Sequence, residues 1–189
     1  MARRDEMIRI RTADNRAPKG TLLLLSSCSE DTEHVASLLA QILPPNAVIS
    51  INGDLGAGKT VFVRGLAKGL ACQGLVASPT FMLLMEHPAG ENGLALYHFD
   101  VYRLDDETAV DAFLELGFDA YFDQGGITVI EWGDRIKPIL PERTLHVRLF
   151  RVNEEDENRR LIEFAWPAEE NRLEWLKRLI EKEGADEPC

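Results

Sequence analysis

One octapeptide limits what this chain can fold into more than any other stretch: Gly53-Asp54-Leu55-Gly56-Ala57-Gly58-Lys59-Thr60. It follows the apolar run Val48–Ile51. It precedes a segment in which Val63, Leu66, Ala67 and Leu70 share one helical face. Strand, glycine-rich turn, lysine and hydroxyl, then helix is the G-x-x-x-x-G-K-[ST] pattern in the context it requires. Glycines let the backbone curl until successive N–H groups aim at phosphate oxygens. The N-terminus of the following helix adds partial positive charge. The pattern therefore predicts a phosphate cradle built by Asp54, Leu55, Gly56, Ala57, Gly58, Lys59, Thr60 and Val61. Within it, Lys59 reaches the β- and γ-phosphates and the Thr60 hydroxyl is a ligand for Mg2+.

The rest of the chain supplies a sheet for that loop. Thr21–Leu25, Val48–Ile51, Leu94–Phe99 and Ile127–Ile130 read as strands, and Leu145–Phe150 and Leu161–Phe164 as a hairpin around the acidic tip Asn153–Asn158. Val35, Leu38, Leu39 and Ile42 recur at helical spacing until Pro44 and Pro45 stop them. Asp105 is expected to cap a further helix with Val110, Phe113 and Leu114 inward and Gly117 at its end. Leu173, Leu176 and Ile180 suggest a last helix. Strands alternating with helices argue for a three-layer α/β fold with a mostly parallel sheet, mixed because of the late hairpin. The expected organisation is an extension over 1–20, a core domain over 21–166, and a C-terminal helix with acidic tail over 167–189.

At 189 residues the chain is long enough to bury a core without staples. Its net charge is −11, so nucleic acid is not gripped by bulk electrostatics; DNA is not an expected partner, and RNA contact is expected only through another protein. Cys28, Cys72 and Cys189 form no CxxC pair and are odd in number, which fits a reducing cytoplasm. The longest aliphatic run, Leu22–Leu25, is far short of the roughly 20 residues that span a bilayer. The arginines at positions 3, 4, 9 and 11 lead into no apolar segment, so no secretory signal is expected.

Mg2+ beside a phosphate loop calls for a carboxylate at a neighbouring strand end. Asp100 and Glu131 both qualify: either suits the metal, and the other would orient a water or act as a switch. Ser78-Pro79-Thr80 suits a loop whose hydroxyls sense the γ-phosphate, or an ordinary turn. His98 and Arg103 read more simply as structural, and spacing leaves open whether Trp132 packs on the nucleotide or the core. No Asn-Lys-x-Asp or LSGGQ segment is present, which points to ATP over GTP and away from transporter-type ATPases. Asp123-Gln124-Gly125-Gly126 precedes a strand instead of following one and reads as a turn.

Four motifs in order carry a resemblance: GDLGAGKT at Gly53–Thr60, SPTF at Ser78–Phe81, HFDVYRL at His98–Leu104 and VIEW at Val129–Trp132. Together, over about Thr21–Phe164, they resemble the TsaE (YjeE) family of small bacterial P-loop ATPases. The resemblance implies ATP and Mg2+ as ligands and weak hydrolysis. It also implies action on two partners, TsaB and TsaD, in threonylcarbamoyl-adenosine modification of tRNA. The resemblance further implies that TsaD performs the transfer and that hydrolysis resets the complex. Carried over by motif, the resemblance implies that Lys59 and Thr60 bind phosphate and metal, that Glu131 is the second protein ligand to the metal, and that Asp100 is the acid important for hydrolysis. Thr32 resembles an N-terminal threonine near the nucleotide, and Ser78 and Thr80 belong to a switch-like loop. Val61 departs from a second threonine common in the family. The rival reading is a P-loop small-molecule kinase with Asp100 as base. The scattered Arg64, Arg103, Arg135 and Arg143 disfavour the arginine-bearing lid it would need.

Overall fold

In a computed structural model, residues 8–11, 20–90, 93–152, 158–166 and 169–185 are described. The strands are β1 (Ile8–Arg11), β2 (Thr21–Ser26), β3 (Val48–Asn52), β4 (Leu84–His87), β5 (Leu96–Asp100), β6 (Ile127–Glu131), β7 (Leu145–Arg151) and β8 (Arg160–Ala165). The helices are α1 (Ser29–Ala40), α2 (Lys59–Gly69), α3 (Ala109–Glu115) and α4 (Glu170–Ala185). Phe118–Asp123 and Gly133–Ile139 are short, tighter helical segments.

The strands form one sheet in the order β1-β2-β8-β7-β3-β6-β5-β4. The four central strands, β7-β3-β6-β5, run parallel, and the flanking pairs are antiparallel. Strand β3 is buried along its whole length because both sheet faces are covered, and its alternation divides the two cores. Ile49 and Ile51 join Leu96, Ile127 and Val129 under α1, α2 and α4. Val48 joins Phe99 and Ile130 under Ala109 and Phe113 of α3 and the residues Phe122 and Ile136. This is the three-layer mixed arrangement that the sequence pattern predicts.

At four places the structure adds to the sequence reading or differs from it. Ile8–Arg11, read as part of an extension, pairs antiparallel with β2 from Ile8↔Ser26 to Arg11↔Leu23. The edge strand β4, unrecognised in the sequence, pairs with β5. Asp105 caps a turn, accepting the Glu107 N–H at 3.0 Å, and α3 begins only at Ala109. Leu114 consequently turns outward and is 42% exposed, while Phe113 is fully buried. Leu173, Leu176 and Ile180 of α4 enter the same core as α1 and α2, so this helix packs on the domain. Positions 153–157 of the expected acidic tip, and 186–189 of the expected tail, lie outside the described residues.

Candidate nucleotide site

The loop after β3 turns sharply because its glycines take positive φ: +145° at Gly53 and +101° at Gly58. At Gly53 a side chain is doubly excluded, since a Cβ there would lie 2.4 Å from the Leu149 carbonyl oxygen. Every carbonyl from Gly53 to Gly58 has a donor, which leaves the loop few alternative conformations. Lys59 Nζ donates to the carbonyls of Gly53 at 2.7 Å and Asp54 at 2.9 Å. The Ala57 N–H closes the turn on the Asp54 carbonyl at 3.0 Å, and the Phe62 N–H on the Gly58 carbonyl at 3.0 Å starts α2. Two arginines of the β7–β8 hairpin take the remaining three: Arg151 the Leu55 carbonyl at 3.3 Å, and Arg160 those of Gly56 at 3.2 Å and Ala57 at 2.8 Å.

Lys59 is buried, with Nζ 3.8 Å from the Trp132 ring centroid, a cation–π geometry. Burial pushes its ammonium below the ordinary lysine value, and the charges of Glu131, Asp100 and Asp54 push it back up. Trp132 reaches this position from a left-handed backbone, φ 63°, rare for a bulky residue, and its ring also packs on Tyr102 at 5.0 Å. Of the two places that spacing left open for Trp132, the structure shows the core: the residue packs against the Val48, Phe99 and Ile130 cluster, and its indole also lies against Lys59.

Asp100 and Glu131 are register partners at the carboxyl ends of β5 and β6. Both are buried. Glu131 Oε1 accepts the Thr60 hydroxyl at 2.8 Å and pairs with His98 Nε2 at 2.9 Å. Asp100 Oδ2 accepts the hydroxyls of Ser78 at 2.7 Å and Thr80 at 2.6 Å, and Oδ1 accepts the Tyr102 N–H at 3.0 Å. The two acids therefore have different neighbours: one joins α2 at the loop, the other ties down the 78–80 segment. Thr60 and Glu131 present hard oxygen donors, the type Mg2+ prefers. Among the described residues there is no group of three or more His, Cys, Asp or Glu that could hold a metal ion.

The expected site residues Lys59, Thr60, Asp100, Glu131, Ser78, Thr80 and the loop itself are brought together. Val61, in the first turn of α2, is half-buried. Thr32 is buried at the start of α1, sharing a 2.7 Å hydrogen bond with Ser26 and donating to the Cys28 carbonyl at 3.3 Å; neither bond reaches the loop. Asp123–Gly126 is a turn, with Gly125 at φ +84° and its N–H on Asn46 Oδ1 at 2.6 Å. Arg103 lies over the Phe81 ring at 4.1 Å, and Arg135 ion-pairs with Asp106 at 3.1 Å. Sequence reasoning undervalued His98 and passed over Arg151 and Arg160. A signal for His98 existed: it lies two residues before Asp100, so in a strand it faces the same side.

With a glycine-rich loop leaving the carboxyl end of a central parallel strand and running into a helix, the fold and site are those of the P-loop class of nucleotide-binding proteins. Comparison with known proteins narrows the class. The family model described as "Threonylcarbamoyl adenosine biosynthesis protein TsaE" matches residues 26–162, and the chain belongs to that family. Among similar curated proteins is the tRNA threonylcarbamoyladenosine biosynthesis protein TsaE of Bacillus subtilis, 38% identical over 78% of this chain and 85% of that protein. The protein of the same name from Rickettsia felis is 36% identical over 80% of this chain and 84% of its own length. Among solved structures, YdiB of Bacillus subtilis superposes with a TM-score of 0.66 at 32% identity, covering 86% of this chain and 95% of that one.

Proposed function

We propose that this chain binds ATP with Mg2+ at Gly53–Thr60 and hydrolyses it slowly. The cycle keeps a TsaB–TsaD complex turning over in threonylcarbamoyl-adenosine modification of tRNA. The observation that carries the reading is the convergence of Lys59, the Thr60–Glu131 hydrogen bond and Asp100 on one loop. The family supports the pathway, since its relatives are named for it.

Bound Mg2+ would supply charge neutralisation on the phosphates, held by Thr60 and Glu131. The remaining chemistry belongs to side chains. Lys59 exchanges its two carbonyl acceptors for phosphate oxygens, a charge-assisted and stronger contact. Trp132 walls the ammonium from water and so strengthens its electrostatics. His98, on the face of β5 that meets Glu131, fixes the orientation of that carboxylate. Asp100 orients the attacking water, and its bonds to Ser78 and Thr80 couple that task to the 78–80 segment. Thr32 stands near the nucleotide by resemblance alone. The acidic surface, with net charge −11, suits a protein that meets tRNA only through its partners in the cytoplasm. Among the described residues no helix is long and apolar enough to cross a membrane.

Phosphate release from ATP tests the reading, measured for the isolated chain and after adding TsaB and TsaD. Slow turnover alone and a changed rate with the complex are expected. Equal, fast turnover in both contradicts it, and stimulation by nucleosides or sugars would identify a kinase instead.

A further inference from the structure

The geometry points to Arg160, with Arg151 as its second, as a positioning residue that presets the phosphate cradle from the β7–β8 hairpin; the inference rests on the nucleotide reading of the loop. Arg151 and Arg160 are direct register partners at the loop end of the hairpin, the last residue of β7 facing the first of β8. Like charges placed opposite each other on paired strands repel, so the pair calls for acceptors within reach. The acceptors include three consecutive carbonyls of the loop, those of Leu55, Gly56 and Ala57. The guanidinium of Arg160 forks across two of them, a match that its fixed planar donors allow and a lysine's single nitrogen does not.

A trans peptide holds its C=O and N–H on opposite sides. Fixing the Ala57 carbonyl toward Arg160 therefore aims the Gly58 N–H away from the hairpin. Fixing the Leu55 carbonyl toward Arg151 does the same for the Gly56 N–H. The intervening Ala57 N–H is committed to the Asp54 carbonyl. The two N–H groups so aimed flank the buried Ala57 and lead into the α2 N-terminus, where phosphate oxygens are bound. The guanidinium groups also sit against the loop glycines: a Cβ on Gly56 would come 2.5 Å from an Arg151 nitrogen, and one on Gly58 3.9 Å from Arg160 Nε. Preorganised donors cost no rearrangement when the anion arrives, so the hairpin contributes to affinity without touching the ligand.

The test titrates a fluorescent ADP analogue against wild type, Arg160→Ala, Arg160→Lys and Arg151→Ala, with thermal midpoints and the amide NMR signals of Gly56 and Gly58 recorded without nucleotide. Arg160→Ala is expected to weaken ADP roughly tenfold, and Arg160→Lys and Arg151→Ala roughly threefold each. The Gly58 amide signal should shift in Arg160→Ala with the midpoint little changed. Wild-type affinity in Arg160→Ala overturns the inference. So does a loss of affinity in Arg160→Ala and Arg160→Lys alike that tracks a fallen midpoint, because it would mark a purely structural arginine. Failure of wild type to bind ADP overturns the nucleotide reading itself and takes the inference with it.

Discussion

Glu131 and Asp100 are the same kind of group at matching positions on adjacent strands, yet they are wired differently, and substitutions should separate them. Glu131 shares one oxygen between Thr60 and His98. Glu131→Gln keeps the shape and removes the charge. It should cost about tenfold in affinity for ADP with Mg2+ and almost nothing for ADP in EDTA, since hydrogen bonds and contacts to a charged group are worth ~1.5–3 kcal/mol. Calorimetric titration with and without metal checks this. Asp100→Asn should leave ADP affinity within about threefold and slow hydrolysis on the order of a hundredfold, the usual contribution of a positioned acid or base; phosphate release in single turnover reads it. Lys59 and Thr60 were readable in the sequence because a strand, a glycine loop and a helix occur in continuous order, and the two acids because each directly follows a run of strand-forming residues. His98 and Arg160 were not, because their partners lie 33 and 103 residues away and depend on strand register. Spacing places His98 on the face of Asp100, but neither that spacing nor the acidic stretch beside Arg160 names the partner reached from another element.

At the level of elements, the helix pair that carries the loop is set by two glycines of α2. A Cβ on Gly65 would lie 2.2 Å from the Glu33 carbonyl oxygen and 2.7 Å from Ala36 Cβ; one on Gly69 would lie 2.4 Å from the Ser37 carbonyl oxygen. Replacing glycine by alanine inside a helix ordinarily gains about 1 kcal/mol. Here backbone of α1 occupies the space, so Gly65→Ala should instead destabilise by roughly 1–3 kcal/mol, the cost of overpacking. A lowered urea midpoint with unchanged slope would show it. The same packing explains which elements were readable. Helices α1 and α2 announce themselves by apolar spacing and end signals. Strand β4, with only His87 of its four residues buried, has no clean alternation to read. The Asp105 turn shows the limit of capping signals: an aspartate serves a turn as readily as a helix start, and Asp105 takes the turn.

For the molecule as a whole, two histidines, His87 buried and His146 half-buried, make stability depend on pH. Burial, helped by neighbouring His98, pushes His87 below the ordinary histidine value of 6.5. Burial also lowers His146, with Lys137 and Arg148 adding to it against Asp134. The unfolded chain then binds more protons than the folded one once pH drops below about 6.5, so stability falls as pH falls from there toward the lowered values. Thermal midpoints at pH 7.5 and 5.5 should record that fall, and His87→Phe, which keeps an aromatic ring in the buried position, should make it smaller. Above pH 7.5 this contribution is flat. The fold class was readable from the alternation of strands and helices. The pairing of Ile8–Arg11 with β2, and the entry of α4 into the common core, depended on long-range contacts that local pattern does not encode.

In the proposed function the phosphate loop drives repeated rounds of tRNA modification by partners that do the transfer. The direct measurement is reconstituted threonylcarbamoylation with TsaB, TsaD, tRNA and threonylcarbamoyl-AMP in multiple turnover, comparing wild type with Lys59→Ala. Product should keep accumulating with wild type and stall after the first round with the variant. Equal progress with both, or no sustained turnover with either, would contradict the account.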